Sequence, residues 1–429
     1  MRSRIRLTPI EPAIAGEQGL RLVQRVRANQ EVGHDPDGGR PDRCPEAPPG
    51  TAETGTWMGT LHGREHTGEE DEMSQDLDHA KLEQFGGKAL DILNKGSVAV
   101  MMSVGHRTGL FAAMADLTPA TSNQVAEAAG LQERYVREWL GAMVTGGVVE
   151  YDPDAATYHL PPEHAAFLTP AAQTNNMANF AQLIPLIGNV EDEVVDCFRN
   201  GGGVPYSSYK RCPEVMRELS APTFDVLLVD KILPLVSGLP ESLTRGIDVL
   251  EVGCGSGRAV NVMAEAFPKS RFVGYDLLDE HIDTARAEAG ERGLSNARFD
   301  VRDVATLEPA GYYDLVMAFD TVHDQAQPAA LLDQVAAALK PGGQFLMWDV
   351  AASSHLHKNA DHLLGPFLYA VSCMHCMTVS LARDGEGLGA MWGQEKAQEM
   401  LAAAGLEELQ IHRIEEDPVN CCYIATKTP

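Results

Sequence analysis

The chain has 429 residues, more than one typical domain requires, and 44% of them are hydrophobic, which is enough to build folded cores. Its net charge of −27 at pH 7 repels phosphate backbones, so we expect no nucleic-acid partner. No run approaches the roughly 18 consecutive apolar residues of a membrane span, so we expect no membrane partner either.

The eight cysteines are scattered through the chain without a secretory signal in front of them, which predicts free thiols in a reducing, cytoplasmic compartment. Cys373 and Cys376 form one close pair, and Cys421 and Cys422 form another. A structural zinc site uses four ligands at defined spacing. These pairs instead lie in a helix-like and a strand-like apolar run, so we interpret them as core residues and expect no metal.

Residues 1–72 are rich in Gly, Pro, Arg, Glu and Asp and have no sustained apolar period. Such a composition cannot bury enough surface to offset chain entropy, which predicts a disordered N-terminal extension. Its Arg-rich opening resembles a transit peptide, but Glu11 and Glu17 follow early. The interpretation that we favour is an upstream extension before a natural start at Met73.

Residues 73–170 have the pattern of a mostly helical winged-helix domain. Apolar residues recur at helical spacing from Leu82 onward. Thr121 can cap a short helix that Gly130 closes, and two strands around an Asp-Pro-Asp turn follow a second helix. We expect that second helix to present one apolar face, made of Tyr135, Trp139, Leu140 and Met143.

The winged-helix pattern allows either DNA binding or dimerisation. A DNA-reading helix needs a basic face. The second helix alternates arginines with glutamates, and the predicted wing is acidic, with Glu150, Asp152 and Asp154. The sequence therefore favours a packing role, and we expect a homodimer that forms through this module.

Residues 171–245 read as a helical linker and lid, and residues 246–429 alternate strands with helices. Five strand-like runs are separated by helices, and a last pair can close one edge of the sheet in antiparallel fashion. Repeated βα units of this length predict the α/β class, with a doubly wound sheet of seven strands and ligands at the strand C-termini. Residues 351–392 form a long insertion that we expect to cover a substrate.

A glycine-rich turn, Gly253-Cys-Gly255-Ser-Gly257, follows the first of these strands directly and opens a helix. Glu251 precedes the turn, where its carboxylate would repel a phosphate but suit the amino-acid end of a zwitterion. Asp276 ends the second strand, where a carboxylate can accept hydrogen bonds from both ribose hydroxyls. Asp303 ends the third, where an adenine amino group could donate to it.

The ordered series VLEVGCGSG, VGYD, FDVRD, YYDLVMAFD and LKPGG resembles class I S-adenosylmethionine-dependent methyltransferases. With the winged-helix front half, the chain is similar to two-domain bacterial enzymes of mycobacteria and other actinobacteria. The resemblance implies a Rossmann-like sheet and S-adenosylmethionine as cofactor. It also implies roles for individual residues: Glu251, Gly253, Gly255 and Gly257 around the methionine part, Asp276 on the ribose and Asp303 near the adenine.

His323 and Asp324 follow the strand YYDLVMAFD, whose end must lie beside the cofactor. In small-molecule O-methyltransferases a His-Asp-Trp stretch supplies the general base at the corresponding place, but Gln325 replaces the tryptophan here. His323 is thus either a general base, oriented by Asp324 or Asp320, or a structural histidine that caps the next helix.

The reaction that the sequence favours is methyl transfer to a small-molecule acceptor, with a hydroxyl as the preferred acceptor. Transfer to nitrogen or sulfur stays open. Two other classes also stay open: a winged-helix transcriptional regulator that senses S-adenosylmethionine, and an NAD-type oxidoreductase on the same sheet. Glu251 and Asp303 disfavour the oxidoreductase, and the acidic wing disfavours the regulator.

Overall fold

A computed structural model describes residues 77–304 and 311–428. The predicted disordered extension over residues 1–72 lies outside the described residues. Within the described part, no helix is long and apolar enough to cross a membrane.

The N-terminal module is the predicted winged helix. Thr121 caps its third helix through a reciprocal pair of hydrogen bonds with Gln124, and Gly130 ends that helix in the left-handed region at φ 66°. The wing strands pair in antiparallel register. The elements are α1 (His79–Arg107), α2 (Leu110–Ala115), α3 (Ser122–Ala129), α4 (Glu133–Thr145), β1 (Glu150–Asp152), β2 (Thr157–His159) and α5 (Pro162–Leu168).

The predicted apolar face of α4 is wrong at one residue. Tyr135 is 80% exposed, and Val136 is buried in its place. The reason is geometric, because residue 136 shares a helix face with residues 139, 140 and 143, whereas residue 135 lies one step of about 100° away. Trp139, Leu140 and Met143 are buried within the module's own core, so they are not available to a partner chain.

Residues 171–245 are mostly helical, as expected, and their role as a linker and lid stays a prediction. A wide, π-helical stretch, Thr223–Ile232, continues directly from the fourth of these helices. The helices are α6 (Met177–Phe180), α7 (Leu183–Gly188), α8 (Glu191–Asn200), α9 (Cys212–Pro222) and α10 (Leu239–Arg245).

The C-terminal part contains the predicted sheet of seven strands, in the order β5-β4-β3-β6-β7-β9-β8. The first five are parallel, and β9 pairs antiparallel with both β7 and β8. The strands are β3 (Asp248–Val252), β4 (Arg271–Asp276), β5 (Ala297–Val301), β6 (Tyr313–Phe319), β7 (Leu339–Val350), β8 (Leu406–Ile414) and β9 (Asp417–Lys427).

Helices cover both faces of this sheet, and two hydrophobic clusters fill the spaces between the layers. All five residues of β3 are buried, as expected for a central strand with both faces covered. The helices are α11 (Arg258–Ala266), α12 (Asp279–Glu291), α13 (Pro328–Ala338), α14 (Gly365–Val371), α15 (Met377–Leu381) and α16 (Gly393–Ala403). A π-helical turn, Ser372–Cys376, joins α14 to α15.

Two details of this region refine the sequence pattern. Helix α13 ends at Ala338, and the Lys-Pro-Gly-Gly run lies within β7 instead of ending the helix. Cys421 and Cys422 are fully buried on β9, as expected of core residues. Cys373 is partly buried, whereas Cys376 is buried beside His323.

Candidate active site

The glycine-rich turn joins the C-terminal end of β3 to α11. Gly253, Gly255 and Gly257 all have positive φ, between 51° and 73°, a conformation that only glycine adopts without cost. A side chain at Gly253 would collide with Thr321, and one at Gly257 would collide with Phe299. A Cβ at Gly255 would meet nothing within 4 Å, so the backbone at Gly255 borders open space that a ligand can fill.

Glu251 is buried at the end of β3, and its Oε2 atom has no hydrogen-bond partner among the described residues. Burial, and then the nearby carboxylate of Asp276, raise the pKa of Glu251 well above its usual value. A cationic group placed beside Oε2 would satisfy this buried acceptor and favour its charged form. The site therefore fits the ammonium group of an amino-acid ligand better than a phosphate.

The carboxylate of Asp276 holds the glycine turn against the end of β4. Its Oδ2 accepts a hydrogen bond from the Gly255 amide at 2.9 Å, and its Oδ1 accepts one from the Leu278 amide at 3.0 Å. The Nδ1 atom of His281 lies 3.0 Å from Oδ1. Burial alone would raise the pKa of Asp276, but these hydrogen bonds, led by that from His281, lower it below its usual value. Asp276 is thus an ionised acceptor at the cavity wall.

Asp303 lies two residues after β5 and lines the same cavity. Its carboxylate is 3.5 Å from the guanidinium of Arg383, which belongs to the insertion 351–392. This ion pair connects the insertion to the rim of the cavity.

The strand β6 ends in a strained turn that leads to His323. Asp320 has a φ of 46°, an uncommon conformation for a residue other than glycine, and its amide donates to the carbonyl of Trp348 at 2.8 Å. Thr321 fixes the turn against the glycine loop, because its hydroxyl donates to the carbonyl of Gly253 at 3.2 Å. His323 and Asp324 then occupy one short 3₁₀ turn.

His323 is buried between two carboxylates. Its Nδ1 lies 2.8 Å from Oδ1 of Asp349 at the end of β7, and its Nε2 lies 3.3 Å from Oδ1 of Asp324. Asp349 is completely buried, and the indole N–H of Trp392 donates to the same Oδ1 atom at 3.2 Å. Asp349 therefore orients the imidazole, in place of the Asp324 or Asp320 proposed from the sequence.

The charge balance around His323 favours its protonated form. Burial by itself lowers the pKa of His323, but the carboxylates of Asp349 and Asp324 outweigh burial and raise the pKa well above its usual range. Burial, followed by the Asp349 carboxylate, raises the pKa of Asp320. The site thus contains three carboxyl groups around one imidazole, and the single positive charge of that imidazole can neutralise only one of them.

The residues around His323 also include possible metal ligands. Among the described residues, the ligand atoms of His323, Asp324 and Cys376 lie within 4.8 Å of one another, as do those of Asp320, His323 and Asp349. Burial, and then Asp324, raise the pKa of the Cys376 thiol to about 12, which keeps it protonated and a weak ligand. The expectation that the chain holds no metal stays a prediction.

Two cavities meet at this turn. The first, the glycine-loop cavity, has a volume of about 280 Å³ and is lined by Glu251, Gly253, Gly255, Asp276 and Asp303, but not by Gly257. The second, the apolar cavity, has a volume of about 450 Å³ and is lined by His323 and by residues of α7, the insertion 351–392 and β7. Seven residues line both cavities: Met216, Ser220, Phe224, Phe319, Asp320, Asp324 and His375.

The structure thus brings the predicted residues to two adjoining sites and adds three that the sequence reasoning missed. Asp349 follows the strand-end rule that identified Asp276, and the MWDV run at the end of β7 was a usable signal. His281 and Trp392 have no comparable signal, because their roles depend on contacts made by the folded chain.

Comparison with known proteins agrees with this architecture. Residues 96–170 match the profile of the Rv2258c-like winged HTH domain, and residues 243–405 match that of a methyltransferase domain. The ubiquinone biosynthesis O-methyltransferase of Idiomarina loihiensis is 31% identical over 150 residues, which cover 32% of this chain and 58% of that protein. The aklanonic acid methyltransferase DauC of a Streptomyces species is 34% identical over 143 residues, which cover 32% of this chain and 64% of that protein.

The alignments therefore span less than two thirds of these two relatives. Among solved structures, human N-acetylserotonin methyltransferase in complex with SAM superposes with a TM-score of 0.59 at 16% identity. That superposition covers 82% of this chain and 99% of the human protein. At this identity the likeness shows a shared fold.

Proposed function

The chain belongs to the two-domain, class I S-adenosylmethionine-dependent methyltransferases, and we propose that it transfers a methyl group from S-adenosylmethionine to a hydroxyl of a small molecule. The observation that carries this proposal is the junction of the two cavities at Phe319, Asp320 and Asp324. A donor in the glycine-loop cavity and an acceptor in the apolar cavity would meet there, beside His323.

The residues of the glycine-loop cavity fit S-adenosylmethionine. The unsatisfied Oε2 of Glu251 suits the ammonium group, and the open backbone at Gly255 admits the methionine part. Asp276 is ionised and can accept hydrogen bonds from the ribose hydroxyls, and Asp303 stands at the rim where the adenine amino group would lie. Gly257 packs closely on Phe299 at the start of α11, and its place around the methionine part stays a prediction.

When bound, S-adenosylmethionine supplies a methyl group on a positively charged sulfur, which is open to in-line attack. In its neutral form, which becomes abundant only at raised pH, His323 accepts the proton of the acceptor hydroxyl at Nε2, and Asp349 stabilises the resulting imidazolium through Nδ1. Asp324 lies beside Nε2 and orients the hydroxyl toward the imidazole. The apolar walls of the second cavity exclude water and align the acceptor with the methyl group.

The test has two steps. Calorimetry should detect binding of S-adenosylhomocysteine to the purified chain but no binding of NAD, because the carboxylate of Glu251 would repel the pyrophosphate of NAD. Labelled S-adenosylmethionine should then transfer its methyl group to hydroxyl-bearing members of a small-molecule panel. Preferred binding of NAD, or transfer to no acceptor despite cofactor binding, would reject the proposal.

A regulator that binds DNA is the competing function, and the winged helix bears on it directly. Arg134 and Arg137 of α4 form ion pairs with Glu138 and Glu133 of the same helix, so their charges are already compensated. The wing residues Glu150, Asp152 and Asp154 are exposed. We therefore propose that the module does not read DNA; salt-sensitive binding of a duplex would contradict this.

We also propose a homodimer, through a different surface from the one that the sequence indicated. The N-terminal part of α1 carries an exposed apolar stripe on one helix face: Leu82, Phe85, Ile92, Leu93 and Val100. The spacings of three residues (Leu82 to Phe85) and of seven residues (Phe85 to Ile92, Leu93 to Val100) are those of helices that pair with another helix. A second copy of α1 carries an apolar stripe of the same length, so the proposed partner is the same helix of another copy of this chain.

A further inference from the structure

We infer that the apolar cavity selects a hydrophobic acceptor whose reacting end is a hydrogen-bond donor without negative charge, and that it rejects carboxylate acceptors. This inference rests on the proposed function, because it takes the apolar cavity as the acceptor site. It deepens that function by assigning the chemical class of the acceptor.

The first observation is the charge of the cavity wall. The described residues that line it include four acids, Asp320, Asp324, Glu416 and Asp417, and neither lysine nor arginine. Its other walls are largely aliphatic and aromatic side chains. An acceptor carboxylate would therefore lose its hydration without meeting a lysine or arginine, and the His323 imidazole is already shared by Asp349 and Asp324. Such burial of a negative charge is unfavourable in an apolar site.

Two of the four acids are already compensated. Glu416 forms an ion pair with Lys231 at 2.7 Å. Asp417 accepts hydrogen bonds from the amides of Val419 and Asn420 at 2.9 and 3.1 Å. The other two acids, Asp320 and Asp324, lie at the reacting end of the cavity, where His323 is the nearby cationic group.

The second observation is a shortage of donors at that end. Oδ1 of Asp324 and Oδ2 of Asp349 are buried and have no hydrogen-bond partner among the described residues. His323 already faces two of the three carboxyl groups, Asp349 and Asp324, and burial lowers the pKa of the neighbouring His375, which favours its neutral form. An acceptor O–H or N–H would supply the missing donor to Asp324, whereas a carboxylate would add another acceptor and another negative charge.

The test compares ligands with one alkyl chain and three head groups. Decylamine, decan-1-ol and decanoate, each below its micellar concentration, compete with the neutral dye Nile red for the chain loaded with S-adenosylhomocysteine. We expect the amine and the alcohol to displace the dye at concentrations at least about tenfold below those of decanoate. Equal or tighter binding of decanoate would overturn the inference.

Two variants identify the source of the discrimination. Asp324→Asn should tighten decanoate binding by about tenfold, since it removes one buried negative charge. Glu416→Gln is the matched control and should leave decanoate binding unchanged, because Lys231 already neutralises Glu416. Retained binding of S-adenosylhomocysteine verifies that each variant is folded. If Asp324→Asn still binds decanoate as weakly as the unchanged chain does, Asp324 is not the source of the discrimination.

The outcomes separate this inference from the proposed function. Methyl transfer to decanoate would overturn the charge selection while supporting a methyltransferase. If the amine and the alcohol bind more tightly than decanoate but no hydroxyl is methylated, the charge selection is supported and the proposed reaction is rejected.

Discussion

The Nδ1 atom of His323 lies 2.8 Å from Oδ1 of Asp349, although 26 positions separate the two residues in the chain. Parallel pairing of β6 with β7 places both strand ends at one edge of the sheet, and the turn after β6 then points the imidazole at Asp349. This contact fixes the ring and leaves Nε2 on the side of Asp324 and the apolar cavity. A carboxylate behind an imidazole is an arrangement suited to proton transfer.

If His323 is the general base, His323→Ala should lower turnover by roughly 10²–10⁴-fold with little change in cofactor affinity. Steady-state kinetics on one active hydroxyl acceptor, together with calorimetry of S-adenosylhomocysteine, measures both. His355→Ala is the control, because His355 is an exposed residue of the insertion. Near-normal turnover in His323→Ala would move the acceptor from a hydroxyl toward an already nucleophilic sulfur or nitrogen.

The pH dependence of turnover should identify Asp349 as the positioning residue. Because the carboxylates raise the pKa of His323, its neutral form becomes abundant only above the usual histidine range, and turnover should rise with pH there. Asp349→Asn removes one of these charges, so it should lower the pKa of His323 and move the acidic limb of the kcat profile to lower pH. A limb that stays in place would mean that another group controls it.

Asp276→Ala should weaken binding of S-adenosylhomocysteine by about 1–3 kcal/mol, since it removes charge-assisted hydrogen bonds to the ribose. The variant also removes the acceptor that holds the Gly255 amide. Calorimetry is the measurement, and Asp283→Ala on the exposed side of α12 is the control that should bind normally. Unchanged affinity in Asp276→Ala would remove the ribose assignment.

The chain should sediment as a dimer at micromolar concentration. Phe85→Glu combined with Ile92→Glu should convert it to a monomer, because the two charges would be buried in the helix pair. Tyr135→Glu is a matched control on α4 and should remain dimeric. A monomeric wild type, or dissociation caused by Tyr135→Glu alone, would contradict the proposed surface.

Removing metal ions should leave turnover unchanged. Nδ1 of His323 is already engaged by Asp349, and burial keeps the Cys376 thiol protonated. Prolonged dialysis against a chelator, followed by elemental analysis and an activity assay, tests this. Lost activity that returns with one divalent metal would show that the cluster around His323 is a metal site.

Much of the cofactor half of the site was predictable from local patterns. Each parallel strand delivers its last residues to the same edge of the sheet, so a glycine turn after β3 and acids after β4 and β5 had to converge. The side chains of Glu251, Asp276 and Asp303 do line one cavity. The same rule placed His323 near them, because β6 lies next to β3.

Other features depended on contacts that no local period encodes. The sequence by itself determined which residues stand at which strand ends and which helices bury an apolar face. Only the tertiary structure decided that Asp349 and Trp392 meet at His323, and that Tyr135 faces solvent. It also decided that distant segments enclose one apolar cavity with no lysine or arginine among its described walls. The physical reason is that periodicity fixes the direction of a side chain relative to its own element, whereas its partners depend on how the elements pack.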